Sequence, residues 1–156
     1  GWFGRDLAGH GERVIQALAS ESFSAHKVFV VEVRHPVEVA AAQEQHLVRW
    51  LTKRLGAEVR APDLRSVGYA LVGGRLLSAD AGPAAQFMYE TREGRRLTLY
   101  VRQNAEGGET AFRFKAAGSL SGFYWLEGPL AYAIVAELPR EELLTVATQI
   151  YNQLEE

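Results

Sequence analysis

The chain has 156 residues, 47% hydrophobic and 23% charged, with a net charge of −2 and no cysteine. This length buries a core without disulfides or metals, this apolar content excludes disorder, and the lack of cysteine excludes a disulfide framework, thiolate metal sites and cysteine nucleophiles. Residues 1–66 carry nine Lys/Arg against eight Asp/Glu and residues 67–156 eight against eleven, so no half has the basic surplus that nucleic-acid binding requires.

The opening residues, Gly1-Trp2-Phe3-Gly4-Arg5-Asp6, read in two ways. Two aromatics before charged residues look like the tail of a membrane segment, because Trp favours the interface. An arbitrary domain boundary behind a tag-derived Gly1 gives the same residues. No apolar run approaches the roughly 20 residues of a membrane span, and no signal peptide is visible.

The first long element spans about Leu7 to Glu32 and reads as a helix. Val14, Leu18, Ala25 and Val28 form its apolar stripe, with Ile15, Ser22 and Phe29 beside it. The β-branched stretch Val28–Val33 leaves its end open between helix and strand. Pro36 keeps Arg34-His35 out of a regular helix, so His35–Val39 reads as extended. A second helix follows over Ala41–Leu55, with Leu47, Trp50, Leu51 and Leu55 as its stripe and Gly56 placed to terminate it.

After Pro62 the periodicity turns to alternation. Val67–Val72 and Arg75–Ser78 read as strands around a Gly73-Gly74 turn, and Ala85–Arg92 and Arg95–Gln103 as a hairpin around Glu93-Gly94. Leu97, Leu99 and Val101 alternate with Thr98, Tyr100 and Arg102, which predicts one buried and one exposed face. Thr110–Lys115 reads as a further strand and Gly118–Gly122 as a loop. Phe123–Leu126 and Ala131–Glu137 form the last hairpin. The chain closes with a helix over Pro139–Leu154, with Pro139 at its first position, acids in its first turn, and a stripe of Leu143, Val146, Ala147, Ile150, Tyr151 and Leu154.

The expectation is a single α+β domain over residues 1–156. It has an antiparallel sheet of about five to seven short strands in a meander, because every inter-strand link is short. Two N-terminal helices and one C-terminal helix pack on one face of it.

Residues that carry chemistry are sparse. The histidines are His10, His26, His35 and His46, with no His-x-x-x-His pair. A metal site would need His35 and His46 joined by Glu38 or Glu44, and nothing in the spacing demands it. No Gly-x-Ser-x-Gly elbow is present, and Gly73-Gly74 and Gly107-Gly108 precede strands rather than helix N-termini. Lys53-Arg54 and Arg95-Arg96 read as solvated surface. The sequence therefore assigns no catalytic, cofactor or metal residues. An enzyme with a divergent site around His35, Glu38 and His46 ranks last of the functional readings. The aromatic run Phe123-Tyr124-Trp125 reads first as core, with Phe123 and Trp125 on one face and Tyr124 on the other. Its second reading is a binding patch.

Several stretches resemble a known family. His35-Pro36-Val37-Glu38-Val39, Glu44 to Gly56, Gly68 to Leu77, Pro83 to Tyr89, Leu97 to Val101, Phe112-Arg113-Phe114 and Phe123-Tyr124-Trp125 are similar to the membrane-distal part of proteobacterial transmembrane anti-sigma factors. The likeness covers about Ala25 to Leu154, in order and at similar spacing. It implies a periplasmic domain of an inner-membrane protein, with residues 1–6 a remnant of the membrane-proximal boundary. It also implies a sigma factor held by a separate cytoplasmic domain, and a periplasmic signal protein or protease as a further partner. No catalytic or ligand residues carry over. The candidate interaction residues are His35, Pro36 and Glu38 of the extended segment, Trp50, and Phe123, Tyr124 and Trp125. The competing reading is a small-molecule-binding domain with an aromatic-lined pocket between sheet and helices.

Overall fold

A computed structural model describes residues 2–32, 38–79, 82–105 and 107–155, with side chains from residue 11 on except at 79. Helix α1 is Trp2–Glu32, α2 is Ala41–Leu55 and α3 is Arg140–Leu154. The β-branched end of α1 is thus helical through Glu32. Its buried stripe is Ile15, Leu18, Ala19, Ser22, His26 and Phe29, whereas Val28 is 49% exposed. The stripe lies one position away from the expected one because two polar residues belong to it. Ser22 Oγ donates to the Ala19 carbonyl at 3.1 Å, and His26 Nδ1 lies 2.8 Å from Thr98 Oγ1, so both can be buried. Helix α2 ends at Gly56, whose φ of 75° suits glycine and whose N–H donates to Thr52. Leu51 and Leu55 are fully buried, but Trp50 is 42% exposed and stands outside the packed stripe.

The strands are β1 Ala70–Ala79, β2 Gly82–Glu90, β3 Arg96–Gln103, β4 Arg113–Ala117, β5 Leu120–Glu127 and β6 Leu130–Ala136. They form one antiparallel sheet in the order β1-β2-β3-β6-β5-β4. Two three-stranded meanders are therefore joined where β3 pairs with β6, from Leu97 opposite Ala136 to Gln103 opposite Leu130. The link from β3 to β4 crosses the ends of β6 and β5. Asn104 N–H donates to Pro129, and Thr110 N–H to Leu126.

Two expected loops are strand instead. Gly73-Gly74 lies inside β1, just past an irregularity between Leu71 and Gly73. A Cβ on Gly73 would meet Phe29 at 3.5 Å, and one on Gly74 would meet Leu47 Cδ2 at 2.6 Å. These glycines let α1 and α2 approach β1 closely rather than turn the chain. Likewise Leu120, Ser121 and Gly122 belong to β5, which pairs with β4 from Ala117–Leu120 onward.

The helices cover both faces, not one. On one face Leu51, Leu55, Leu143, Val146 and Ile150 of α2 and α3 pack on Phe87, Leu97, Leu99, Val101, Phe123, Trp125 and Ile134. On the other, Ile15, Leu18 and Ala19 of α1 pack on Tyr100, Tyr124, Leu126, Ala131 and Ala133. The face of β3 expected to be exposed is accordingly buried: Thr98, Tyr100 and Arg102 are 0%, 2% and 6% exposed. The cause is legible in β6, apolar throughout, and in the run Phe123–Leu126 of β5, the pattern of strands covered on both sides.

Candidate functional site

The expected interaction residues are dispersed. His35 and Pro36 lie outside the described residues. Glu38 is exposed, and the neighbouring Val39 N–H donates to Leu71 at 2.9 Å, which lays this segment against β1. Phe123, Tyr124 and Trp125 are 2%, 0% and 0% exposed. Trp125 stacks on Tyr132 with ring centres 5.2 Å apart and lies 5.0 Å from Phe112. Tyr124 meets Phe23 of α1 edge-on at 6.1 Å. The alternation holds, with the two faces feeding two cores. As a binding patch the run is corrected, because it offers no exposed aromatic surface. His46 is exposed and Glu44 half-buried. Among the described residues no three His, Asp or Glu side chains gather as a metal would need.

Two adjoining hollows open at the end of the sheet where β2 turns into β3 and β6 passes into α3. One, of about 590 Å³, is lined by residues that include His26, Tyr69, Arg95, Arg96, Glu137 and Glu142. The other, of about 470 Å³, shares Tyr69, Arg95 and Glu142 and continues to Thr145 and Val146. Their lining is charged with both signs, and Tyr69 is their aromatic residue. This is not the aromatic-lined pocket between sheet and helices that a small-molecule site would call for. A third hollow, about 200 Å³, brings Glu38, Glu44, Asp63 and Arg65 near Tyr89. Arg65 grips Asp63 with bonds of 2.9 and 2.7 Å, which holds the Asp63 carboxyl down at about 2. Burial and the charge of Asp63 raise Glu44. Tyr89 donates to the Pro62 carbonyl at 2.7 Å. None of these groupings sets a nucleophile against a base.

The most developed polar construction attaches α1 to the sheet. Arg75 of β1 donates to the Ala25 carbonyl at 2.9 Å and to Glu32 at 3.1 Å, and its guanidinium lies 4.3 Å over the Phe29 ring. Arg96 of β3 donates to the Val30 carbonyl and, at 2.7 Å, to Glu90. Helix α1 has no basic residue in its last turn, so the sheet supplies the cations that its C-terminal dipole favours. Further along, Arg102 Nε lies 3.0 Å from Glu21 as an ion pair, and Tyr100 donates to Glu21 at 3.2 Å. Arg113 pairs with Glu12 at 2.7 Å. Burial lowers His26 to about 4, so it is a neutral ring at its place against Thr98. The reading of Arg95-Arg96 as solvated surface is corrected at Arg96, whose side chain is 18% exposed because the Val30 carbonyl and Glu90 hold it inward. The signal in the sequence for this attachment was the rhythm 15-18-22-26-29, in which Ser22 and His26 occupy core positions.

A second unusual carboxyl lies at the other end of the sheet. Glu127, opposite Glu109 across an isolated bridge, is raised to about 7 by burial and by the carboxylates of Glu155 and Glu109. Glu155 caps the C-terminus of α3, where the helix dipole also disfavours negative charge.

No family model, curated protein or solved structure matches the chain.

Proposed function

We propose that the chain is the extracytoplasmic regulatory domain of a membrane-anchored anti-sigma factor, which controls an extracytoplasmic-function sigma factor held by a cytoplasmic part of the longer protein. The resemblance running from Ala25 to Leu154 supports the family. The observation that carries the mechanism is the clamping of one continuous helix, Trp2–Glu32, onto the sheet through Arg75, Arg96, Arg102 and Arg113. A helix of 31 residues extends about 46 Å. Among the side chains described, its packed stripe begins at Ile15, and the helix is continuous from there back to Trp2, so it can act as a stiff lever. A signal protein or protease that displaced the sheet would move that lever, and regulation needs such a change of state.

Fractionation of the full-length protein tests the topology. A membrane product whose domain is digested by protease added to spheroplasts supports the reading, and a soluble cytosolic product overturns it. A sigma-dependent reporter tests the lever. Arg75→Ala with Arg96→Ala, at unchanged protein abundance, shifts reporter output in the cell if the clamp transmits the signal.

The charged hollows beside His26 and Arg96 favour a second reading, a domain that binds a small polar molecule. Under it, the soluble domain alone would be thermally stabilised by its ligand.

A further inference from the structure

We propose that the outer face of α2 rests on an anionic lipid bilayer surface. At about 100° per residue, Gln43, His46, Arg49, Trp50, Lys53 and Arg54 fall within an arc on the order of 140°, and all six are exposed. No carboxylate shares the arc. Glu44 projects toward the opposite side, where it lines the hollow beside Asp63. Leu47, Leu51 and Leu55 take the inward face.

Two properties set this face apart. Among the described residues Arg49, Lys53 and Arg54 make no ion pair and share one arc of one helix, whereas the other cations without an ion pair, Arg13, Lys27, Arg92, Arg95, Lys115 and Arg140, are spread over α1, the β2–β3 turn, β4 and α3. The chain is net −2, so these three cations stand against a surplus of five negative charges elsewhere. An anionic surface would attract α2 and repel the remainder, which fixes one orientation. Trp50 sits amid the cations and is 42% exposed. An amphipathic ring flanked by long basic side chains is the composition that interfacial helices use, with the ring at headgroup depth and the cations reaching phosphates.

Shape suits a bilayer. The pocket that seats an anchoring side chain in a protein interface would here have to come from the partner. This face is the convex side of a helix, and the hollows described above are not lined by its residues. A bilayer conforms to a convex face without a pocket. The proposal is independent of the anti-sigma reading, because it concerns the affinity of the isolated domain for lipid.

The test is sedimentation of the 156-residue chain with vesicles of phosphatidylcholine alone and of equimolar phosphatidylglycerol and phosphatidylcholine, at low and physiological salt. The wild type is expected to bind only the anionic vesicles, more weakly as salt shortens the screening length to about 8 Å. Arg49→Gln with Lys53→Gln is expected to weaken binding roughly thirty-fold. Trp50→Phe is expected to remove the blue shift of emission on binding. The substituted residues are exposed, and unchanged thermal melting shows that the variants fold. Equal binding to both vesicle types overturns the proposal. So does wild-type binding by the double variant, which places the contact elsewhere, as at Trp2-Phe3. Binding to soluble poly-glutamate without binding to anionic vesicles also overturns it, and assigns the face to an acidic protein.

Discussion

Three glycines that look alike in the sequence carry different packing loads. A Cβ on Gly122 would lie 2.2 Å from the Tyr124 hydroxyl and 2.6 Å from its ring, and Tyr124 is fully buried beneath α1. That ring has nowhere to go, so Gly122→Ala should cost about 1–3 kcal/mol, as overpacking does. A Cβ on Gly74 meets the tip of Leu47 at 2.6 Å, but Leu47 is half-buried and can turn aside. A Cβ on Gly73 meets Phe29 at an ordinary 3.5 Å. Urea unfolding should rank the losses Gly122 first, Gly74 second and Gly73 last, and a Gly73→Ala loss equal to that of Gly122→Ala would contradict the packing. Two titrating residues act in opposite senses. His26 is held neutral with its value lowered to about 4, against an ordinary 6.5, so the unfolded chain takes up the proton first. Its contribution to stability is therefore lost as pH falls from about 6.5 to 4. Glu127 is raised to about 7 from an ordinary 4.5, so the folded state holds its proton more tightly. Its contribution is present below about 4.5 and is lost as pH rises to 7. The two slopes offset one another in the wild type. Glu127→Gln should expose a fall in stability on acidification below 6.5, and His26→Asn should expose a rise below 7, both measured as urea midpoints against pH. Parallel profiles for the two variants would show that neither residue titrates as described.

At the scale of elements, the attachment of α1 rests on arginines of the sheet, since its own last turn has no basic residue. Arg75 contributes bonds to Ala25, Glu32 and Gln86 from a half-buried position. Arg75→Ala should destabilise the domain by about 1–3 kcal/mol, the range for losing hydrogen bonds to a charged donor. The loss should be local. Amide exchange should quicken at residues 28–32 of α1 while the amides of β6 keep their protection, and uniform acceleration would instead mean a global effect. The helices were readable because each has a stripe, and α2 also has its terminating Gly56. What escaped the sequence was the sidedness of the sheet. Leu97, Leu99 and Val101 alternate cleanly with Thr98, Tyr100 and Arg102, and alternation normally means that one face meets water. Here the polar set is buried because specific partners reach it from α1, His26 for Thr98 and Glu21 for Tyr100 and Arg102. Pattern alone cannot supply partners 72 or 79 positions away. The unbroken apolar runs of β5 and β6 were the counter-signal. The Gly73-Gly74 misreading has the same origin, since a glycine pair that turns a chain and one that admits two helices have identical letters. For the site, the run Phe123-Tyr124-Trp125 was legible as alternating aromatics, and its burial followed only from the helices on both sides.

In the whole molecule, one sheet is shared by two cores, and this decides how the proposed lever would behave. The α1 core and the α2/α3 core meet along β3, β5 and β6, whose successive residues point alternately into each: Tyr100 beside Leu99 and Val101, Tyr124 between Phe123 and Trp125, Ala133 beside Ile134. Removing α1 would expose the apolar surfaces of Tyr100, Tyr124 and Ala133 to water, so the sheet gains nothing by outlasting its helix. Unfolding should therefore be a single transition. Leu18→Ala, in the α1 core, and Leu143→Ala, in the other, both start from fully buried side chains, and each should cost about 2–5 kcal/mol. In both variants the helical circular dichroism and the fluorescence of the buried Trp125 should change at the same denaturant concentration. Coincident curves would mean that α1 and the sheet move as one body, the condition under which a force on the sheet reaches the first turns of α1. If Leu18→Ala separates an early loss of helix from a later change at Trp125, α1 is a detachable strap. A signal would then be transmitted by release of the helix and not by its displacement.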